Sequence, residues 1–409
     1  VAAAPLIIMV FAPGFIGHGE KYDLGVALLR VTFPYLFFIS LTALAGGVLN
    51  TYGRFGVPAF TPVLLNLAMI AAALWLAPRM AQPVTALAWG VFAAGVAQLL
   101  FQLPFVARAG LLSRPRLGWG DEGVRRIIRL MMPALFGTSV VQINLLFDTL
   151  IASFLVTGSI SWLYYSNRLV EFPLGVFGAA LATVILPTLS RNVAEGSEQV
   201  YGRNLDWALR WVLLIGTPAT VGLLALAAPL LATLFQYGAF RAHDVVMSSR
   251  SLMAYAVGLP GFILIKVLAS AFYARQDTRT PVRIGVIAML VNIVLNIALV
   301  FPLAHAGLAL ATSLSAFLNA GLLLRHLLRA GYRAQPGWPP FLLKVGVANA
   351  LMAAVLAGGA AGTDRWLHWA TAVRVSHLAL WVAVGAGVYI LALWLMGVRL
   401  RHLQTVTDS

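Results

Sequence analysis

The segment Ser161-Trp162-Leu163-Tyr164-Tyr165-Ser166-Asn167-Arg168-Leu169-Val170-Glu171-Phe172-Pro173 sets a cation and a carboxylate inside an apolar stretch. At helical spacing Tyr164, Arg168 and Glu171 share one face, with Ser161 and Tyr165 beside it. An ionisable group in hydrocarbon costs about 2.5–3.5 kcal/mol on insertion scales, so this face must look into a helix bundle or a wet cavity. Two readings fit: an Arg–Glu pair that ties helices together, or a surface that binds an anion.

A second group is Asp148, Asn292, Asn296 and Thr312. Asn292 and Asn296 are i, i+4, so both amides share a helix face. Oxygen donors of this kind suit a hard cation, and they equally suit interhelical hydrogen bonding. Lys266 and Lys344 also lie in apolar context; Lys344 is close to a helix start and can snorkel, whereas Lys266 is two turns inside its stretch. Arg30 and Arg250 occupy similar places near the ends of theirs. The seven His are scattered, there is no Cys, and no HExxH, phosphate-binding loop, GxSxG or dinucleotide fingerprint occurs. The chemistry on offer is binding and transport.

The elements that must position these residues follow from composition. Of 409 residues, 61% are hydrophobic and 10% are charged, against about 25% charged in a soluble domain. Apolar stretches long enough to cross about 30 Å of hydrocarbon recur along the chain, without strand alternation, so they are spanning helices. The pattern predicts a stub at 1–11 and eleven spans, at 25–50, 59–77, 84–107, 127–156, 160–189, 205–236, 245–273, 281–301, 304–330, 339–361 and 375–396. The fold class is an all-α polytopic membrane protein.

The net charge is +15. In a soluble protein that balance suggests nucleic acid; here the basic residues sit in short loops and set orientation, so no nucleic-acid partner is expected. Arginine-rich loops alternate with poor ones. The rich side, including the connection around Arg114 and Arg116 and the tail with Arg399 and Arg401, is expected to be cytoplasmic.

A repeat runs through the chain. Phe11-Ala12-Pro13-Gly14-Phe15 resembles Phe235-Gln236-Tyr237-Gly238-Ala239-Phe240, and Gly53 to Pro58 sits like Gln276 to Pro281. Ala86-Leu87-Ala88 sits like Ala309-Leu310-Ala311, and Ala107-Arg108-Ala109-Gly110 like Leu328-Arg329-Ala330-Gly331. The offset stays between 221 and 225, and both copies face the same way, as parallel repeats do. Residues 1–110 then form the remainder of an N-terminal lobe, 111–124 a cytoplasmic linker, 125–335 a six-helix lobe, 336–397 a helix pair and 398–409 a cytoplasmic tail. The offset predicts about 100 further residues before Val1 and fourteen spans in all.

The stretch Arg30-Val31-Thr32-Phe33-Pro34-Tyr35 through Leu49-Asn50-Thr51-Tyr52-Gly53-Arg54-Phe55-Gly56-Val57-Pro58 resembles the MurJ/MviN family. So do Ser161 to Pro173, Phe235 to Gly238, Phe272 to Asp277 with Thr280-Pro281, and Gln335-Pro336-Gly337-Trp338. The resemblance implies two six-helix lobes plus a final pair, in the bacterial cytoplasmic (inner) membrane, with the C-terminus cytoplasmic. It implies a flippase for lipid II, the undecaprenyl-diphosphate-linked peptidoglycan precursor, working by alternating access, driven by membrane potential or Na+, and no enzyme. Arg168 then matches a cavity arginine, with Glu171 its acidic neighbour and Ser161, Tyr164 and Tyr165 around them. Asn167 departs from the Asp often found there. Lys344 falls where relatives often carry Arg in a groove for the lipid tail. Asp148, Asn292, Asn296 and Thr312 match a sodium site, with a backbone oxygen near Leu308 as a further ligand. Expected partners are lipid II, membrane lipid and cell-wall synthesis proteins. The alternatives are a carrier of O-antigen or other polyprenyl-diphosphate oligosaccharides, a drug exporter of the same superfamily, and a non-transporting scaffold of the cell-wall machinery.

Overall fold

A computed structural model describes residues 1–16, 19–112, 121–360 and 362–398. Most of the linker expected at 111–124 and the tail from 399, with their arginines, lie outside the described residues. Every regular element among the described residues is helical. The helices are α1 (Ala4–Phe11), α2 (Gly19–Thr32), α3 (Tyr35–Thr51), α4 (Gly56–Ala71), α5 (Pro83–Arg108), α6 (Glu122–Ser153), α7 (Ser159–Pro173) and α8 (Ala180–Ala194). They continue with α9 (Glu198–Ala225), α10 (Ala227–Phe235), α11 (Ala242–Ala274), α12 (Arg279–Leu303), α13 (His305–Arg329), α14 (Trp338–Gly359), α15 (Thr363–His368) and α16 (Thr371–Leu395). Among the described residues nine helical runs are long and apolar enough to cross a membrane. One of them, Arg279–Arg329, contains both α12 and α13.

Each expected span carries helix among the described residues, although 127–156 is not one of the nine apolar runs, and four are interrupted. The span at 59–77 widens into a π-helical turn at Ala72–Leu76. The span at 25–50 breaks between α2 and α3 at Phe33-Pro34, because a proline disfavours helical geometry in the residue before it. The span at 205–236 breaks at Leu226, which leaves α9 and α10 as separate helices. The span at 160–189 widens into a π-helical turn at Leu174–Ala179, directly after Pro173. The short α15 has no counterpart in the expected spans. Its six residues are too few for a hydropathy window, yet they seat Trp366, which is fully buried.

The chain divides into two compact units, Val1–Pro133 and Ala134–Ser409. In the first, α5 packs along α3 and α4, and Gln98 and Gln102 bond the Thr61 carbonyl (3.1 Å) and hydroxyl (2.7 Å). The second is built around α11, the most buried helix, against which α7, α8, α9, α10 and α13 pack. Helix α12 folds back on α13 through Ala304, whose φ is +49°. A smaller apolar cluster holds α14 and α16 on α9, with Leu214, Phe341, Val345, Met352 and Tyr389 at its centre.

Two helix ends recur in both units. After α3, Arg54 N–H donates to Leu49 O (2.9 Å) past Gly53 at φ +74°; after α11, Asp277 N–H donates to Phe272 O (3.0 Å) past Gln276 at φ +59°. After α5, Leu111 N–H donates to Val106 O (3.1 Å) past Gly110; after α13, Tyr332 N–H donates to Leu327 O (3.0 Å) past Gly331. These six-to-one bonds satisfy carbonyls that a helix end otherwise leaves bare. Gln276 holds a left-handed backbone where its counterpart is glycine. The Asp277 carboxylate beside it accepts from Arg279 N–H (3.1 Å) and Thr280 N–H (3.0 Å). Bonds from Thr280 hold that carboxyl below the usual aspartate range.

Small residues allow close helix approach. A Cβ on Gly258 of α11 would lie 2.7 Å from the Ser313 backbone of α13, the spacing small residues give membrane helix pairs. Gly258→Val should lower stability by about 1–3 kcal/mol through overpacking, read as the thermal unfolding midpoint in detergent. Gly285→Ala, with no atom within 4 Å of the added carbon, should hold or raise it.

Candidate functional site

Helix α7 carries the first candidate group. Ser161, Tyr164, Arg168 and Glu171 all stand exposed on it, as the helical spacing predicts. Arg168 Nη1 meets Glu171 Oε2 at 2.9 Å. Asn167 Nδ2 donates to Glu171 Oε1 at 2.8 Å, so both carboxylate oxygens are engaged. The guanidinium lies 5.1 Å from the Tyr164 ring centroid. The result is a cation fixed in direction by a carboxylate and a ring, with the Arg168 side chain still 57% exposed. An exposed pair of this kind adds little stability, so its geometry suits holding an outside anion better than clamping helices.

Tyr165 departs from that face. Its ring packs 4.8 Å from Phe235 and 5.0 Å from Phe240, which places it in the aromatic core where α7 meets the end of α10. The one-residue step from Tyr164 to Tyr165 turns the side chain by about 100°, enough to carry it from the open face to the packed one. Below it Ser166 donates to Ser248 O of α11 (2.7 Å) and Trp162 Nε1 donates to Asp244 Oδ1 (2.8 Å). These bonds lock the helix whose other side displays Arg168.

The second group converges. Asn292 and Asn296 of α12 are fully buried and Asp148 of α6 nearly so. Asn296 Nδ2 donates to Asp148 Oδ1 (2.6 Å) and to Asn292 Oδ1 (2.9 Å). Asn292 Nδ2 reaches Thr312 Oγ1 and Ser315 Oγ of α13, each at 3.4 Å. Thr312 donates to Leu308 O at 3.0 Å. Among the described residues no Lys, Arg or His pairs with Asp148. The Asn296 Oδ1 atom is buried without a partner, and so is Asn144 Oδ1. Asn144 lies one turn before Asp148 on the same face of α6. Its i, i+4 spacing to Asp148 is the sequence signal that could have placed it in the group.

A family model described as "Lipid II flippase MurJ" matches residues 1–376. The chain is 50% identical over 389 residues to a "Probable lipid II flippase MurJ" of Vibrio cholerae, covering 95% of this chain and 74% of that one. The chain belongs to the MurJ family. It is also 41% identical over 411 residues to the "Lipid II flippase MurJ" of Burkholderia cenocepacia, covering 99% of this chain and 80% of that one. A solved structure described as "Lipid II flippase MurJ, inward closed conformation" superposes with a TM-score of 0.81 at 24% identity, covering 98% of this chain and 79% of that one; this likeness is one of fold. MurJ-type flippases are transporters, so the chain is a multi-pass inner-membrane transporter and not an enzyme.

Against the MurJ motif Gln335-Pro336-Gly337-Trp338 the structure sets a residue that sequence reasoning missed. Asp206, near the start of α9, is buried. Its Oδ1 accepts from Trp338 Nε1 (2.6 Å), Tyr332 OH (3.1 Å) and Gln335 N–H (3.1 Å). Its Oδ2 accepts from Arg210 Nε (2.9 Å), and Arg210 Nη2 continues to Pro336 O (2.9 Å). Burial, reinforced by the Asp206 charge, pushes the Tyr332 phenol above the usual tyrosine range, so Tyr332 stays a neutral donor. One carboxylate thereby fixes where α14 begins. Lys344, the other predicted site residue, is half-buried two turns into α14, which packs on α9 and α16. Truncating one partner of a buried pair costs about 3–5 kcal/mol. Asp206→Ala should therefore lower the unfolding midpoint sharply and expose the α13–α14 connection to protease, with Asp206→Asn milder. An Asp206→Ala protein as stable as the parent would refute this role.

Proposed function

We propose that this MurJ-family chain moves lipid II from the inner to the outer leaflet by alternating access. The observation that carries the reading is the exposed Arg168–Glu171–Asn167 arrangement within a span, in a chain similar over nearly its whole length to proteins named lipid II flippases. The family architecture of two six-helix lobes with a final pair fits it, 125–335 being one lobe and 336–397 the pair. The matched helix ends at offsets 223 and 221, from Arg54 to Asp277 and from Leu111 to Tyr332, support the parallel repeat. The arginine-rich loops and the C-terminus are cytoplasmic in this reading.

A diphosphate presents oxygen pairs that an arginine fork matches better than a point charge does. Glu171 and Tyr164 hold the Arg168 guanidinium in place before substrate arrives, which reduces the ordering cost of binding. Ser161 and Tyr164 line the same face, Tyr165 supports it from the core, and Lys344 serves the tail. Each charge carried across 100 mV is worth about 2.3 kcal/mol, so the membrane potential biases the exchange between inward and outward states. Arg168→Ala in the protein expressed from its complete gene should cut lipid II externalisation about tenfold or more, the loss of a charged hydrogen bond. Growth of flippase-depleted cells on Arg168→Ala at the parent level would refute the role given to Arg168.

The Asp148 group fits a sodium ion. A buried carboxylate without a cationic partner, an unpartnered Asn296 Oδ1 and the Thr312 hydroxyl supply the hard oxygen donors that Na+ takes. Na+ there would offset the buried charge and tie α6 to α12 and α13. A ligand at 100 times its Kd stabilises by about 2.7 kcal/mol. Replacing choline by Na+ should raise the unfolding midpoint of the parent protein and leave Asp148→Ala unmoved; an equal shift in both excludes the site.

A further inference from the structure

Arg250 lies eight residues past Ala242, about 12 Å along α11 at 1.5 Å per residue. That position is near the end of a span, on the side away from the arginine-rich loops. No hydrogen bond or ion pair satisfies its guanidinium among the described residues. It lines two adjoining clefts of the second unit. The larger, about 970 Å³, also touches Trp162, His243, Met253, Val257 and His305. The smaller, about 380 Å³, runs from Arg250 and Met253 to Leu356 of α14.

The larger cleft contains a second unsatisfied group. His305 is 4% exposed, and its Nε2 bonds the Met247 carbonyl at 3.1 Å. A carbonyl only accepts, so Nε2 carries the proton. That leaves Nδ1 buried with no partner, a lone pair able to accept from a hydroxyl. Arg250 is close enough to His305 to act on it electrostatically. The nearby Asp244 carboxylate keeps its charge but does not line the cleft: one oxygen is turned to Trp162 Nε1 and the other to Arg241 N–H. Apart from Thr157 and His243 the remaining walls are apolar, with Leu224, Val257, Leu303 and Leu310 among them. A cation and an unpartnered imidazole at the head of an apolar cleft, near the end of a span, match a phosphate ester joined to acyl chains.

We propose that this cleft binds one anionic glycerophospholipid from the leaflet opposite the arginine-rich loops. Arg250 holds the phosphate, His305 Nδ1 accepts from a headgroup hydroxyl, and an acyl chain lies along Met253, Val257 and Leu310. The site is separate from the Arg168 face and concerns a resident lipid, not the transported one. Only the name of the leaflet rests on the orientation proposed above.

The test uses the full chain, delipidated in detergent and titrated with dioleoyl-phosphatidylglycerol, with bound lipid counted by native mass spectrometry. One phosphatidylglycerol should be retained by the parent, and retention should fall about fivefold in Arg250→Gln, the worth of one basic residue near a membrane surface. His305→Gln should also weaken it, and Arg250→Lys should keep most of it. Dioleoylglycerol lacks the phosphate and glycerol 3-phosphate lacks the chains, so neither should be retained. Retention of phosphatidylglycerol unchanged in Arg250→Gln overturns the proposal, as does retention of glycerol 3-phosphate, which would mark a site for a soluble anion. Preferred retention of a polyprenyl diphosphate would overturn it in favour of a transport-substrate site. Because Arg250 is exposed, its substitution should leave the unfolding midpoint in place. Lipid counting is independent of flipping, so its failure and a failure of the transport reading are separable.

Discussion

A polar group in hydrocarbon keeps its hydrogen bonds or costs several kcal/mol, and much of this molecule's detail follows from that penalty. It makes every regular element among the described residues a helix. It explains why helix ends close with six-to-one bonds at Gly53, Gly110, Gln276 and Gly331. The hydroxyls of Thr42, Thr61, Ser249 and Thr312 turn back to the carbonyl four residues earlier for the same reason. Where the penalty is left standing, as at Asn296 Oδ1 and His305 Nδ1, the structure leaves room for a guest.

The two candidate groups answer the penalty differently. Arg168 and Glu171 sit on an open face and compensate each other across 2.9 Å. Their charges stay accessible because half of each side chain remains uncovered. Asp148 is enclosed and receives an amide donor, with no cationic side chain paired to it among the described residues. The first arrangement suits a large anion that must come and go. The second suits a small ion that, once seated, binds three helices to one another.

The helical spans were readable because nearly every one is long, apolar and bounded by breakers. Their interruptions were not: a hydropathy window averages across Pro34, Leu226 and the π-turn after Pro173. The Asn292–Asn296 pair was visible through its i, i+4 spacing, and Asp148 through its isolation in an apolar stretch. Helical spacing set Tyr165 beside the Arg168 face, and spacing alone does not reveal its packing against Phe235 and Phe240. Asp206 escaped because an acidic residue near a helix start, four before an arginine, reads as an ordinary solvated pair. Its other donors come from residues 332 to 338, more than a hundred positions away.

The attachment of α14 and α16 has a mechanical meaning. Asp206 grips Trp338 at one end of α9; farther along, Thr217 accepts from Asn349, and Leu214 O accepts from Tyr389. At the far end, Ala232 O of α10 accepts from the buried Arg374 of α16. Fastened at both ends and in the middle, the final two helices cannot swing independently of α9 and α10. A tilt of α9 therefore carries α14 and α16 with it, so that the three helices turn as one lever.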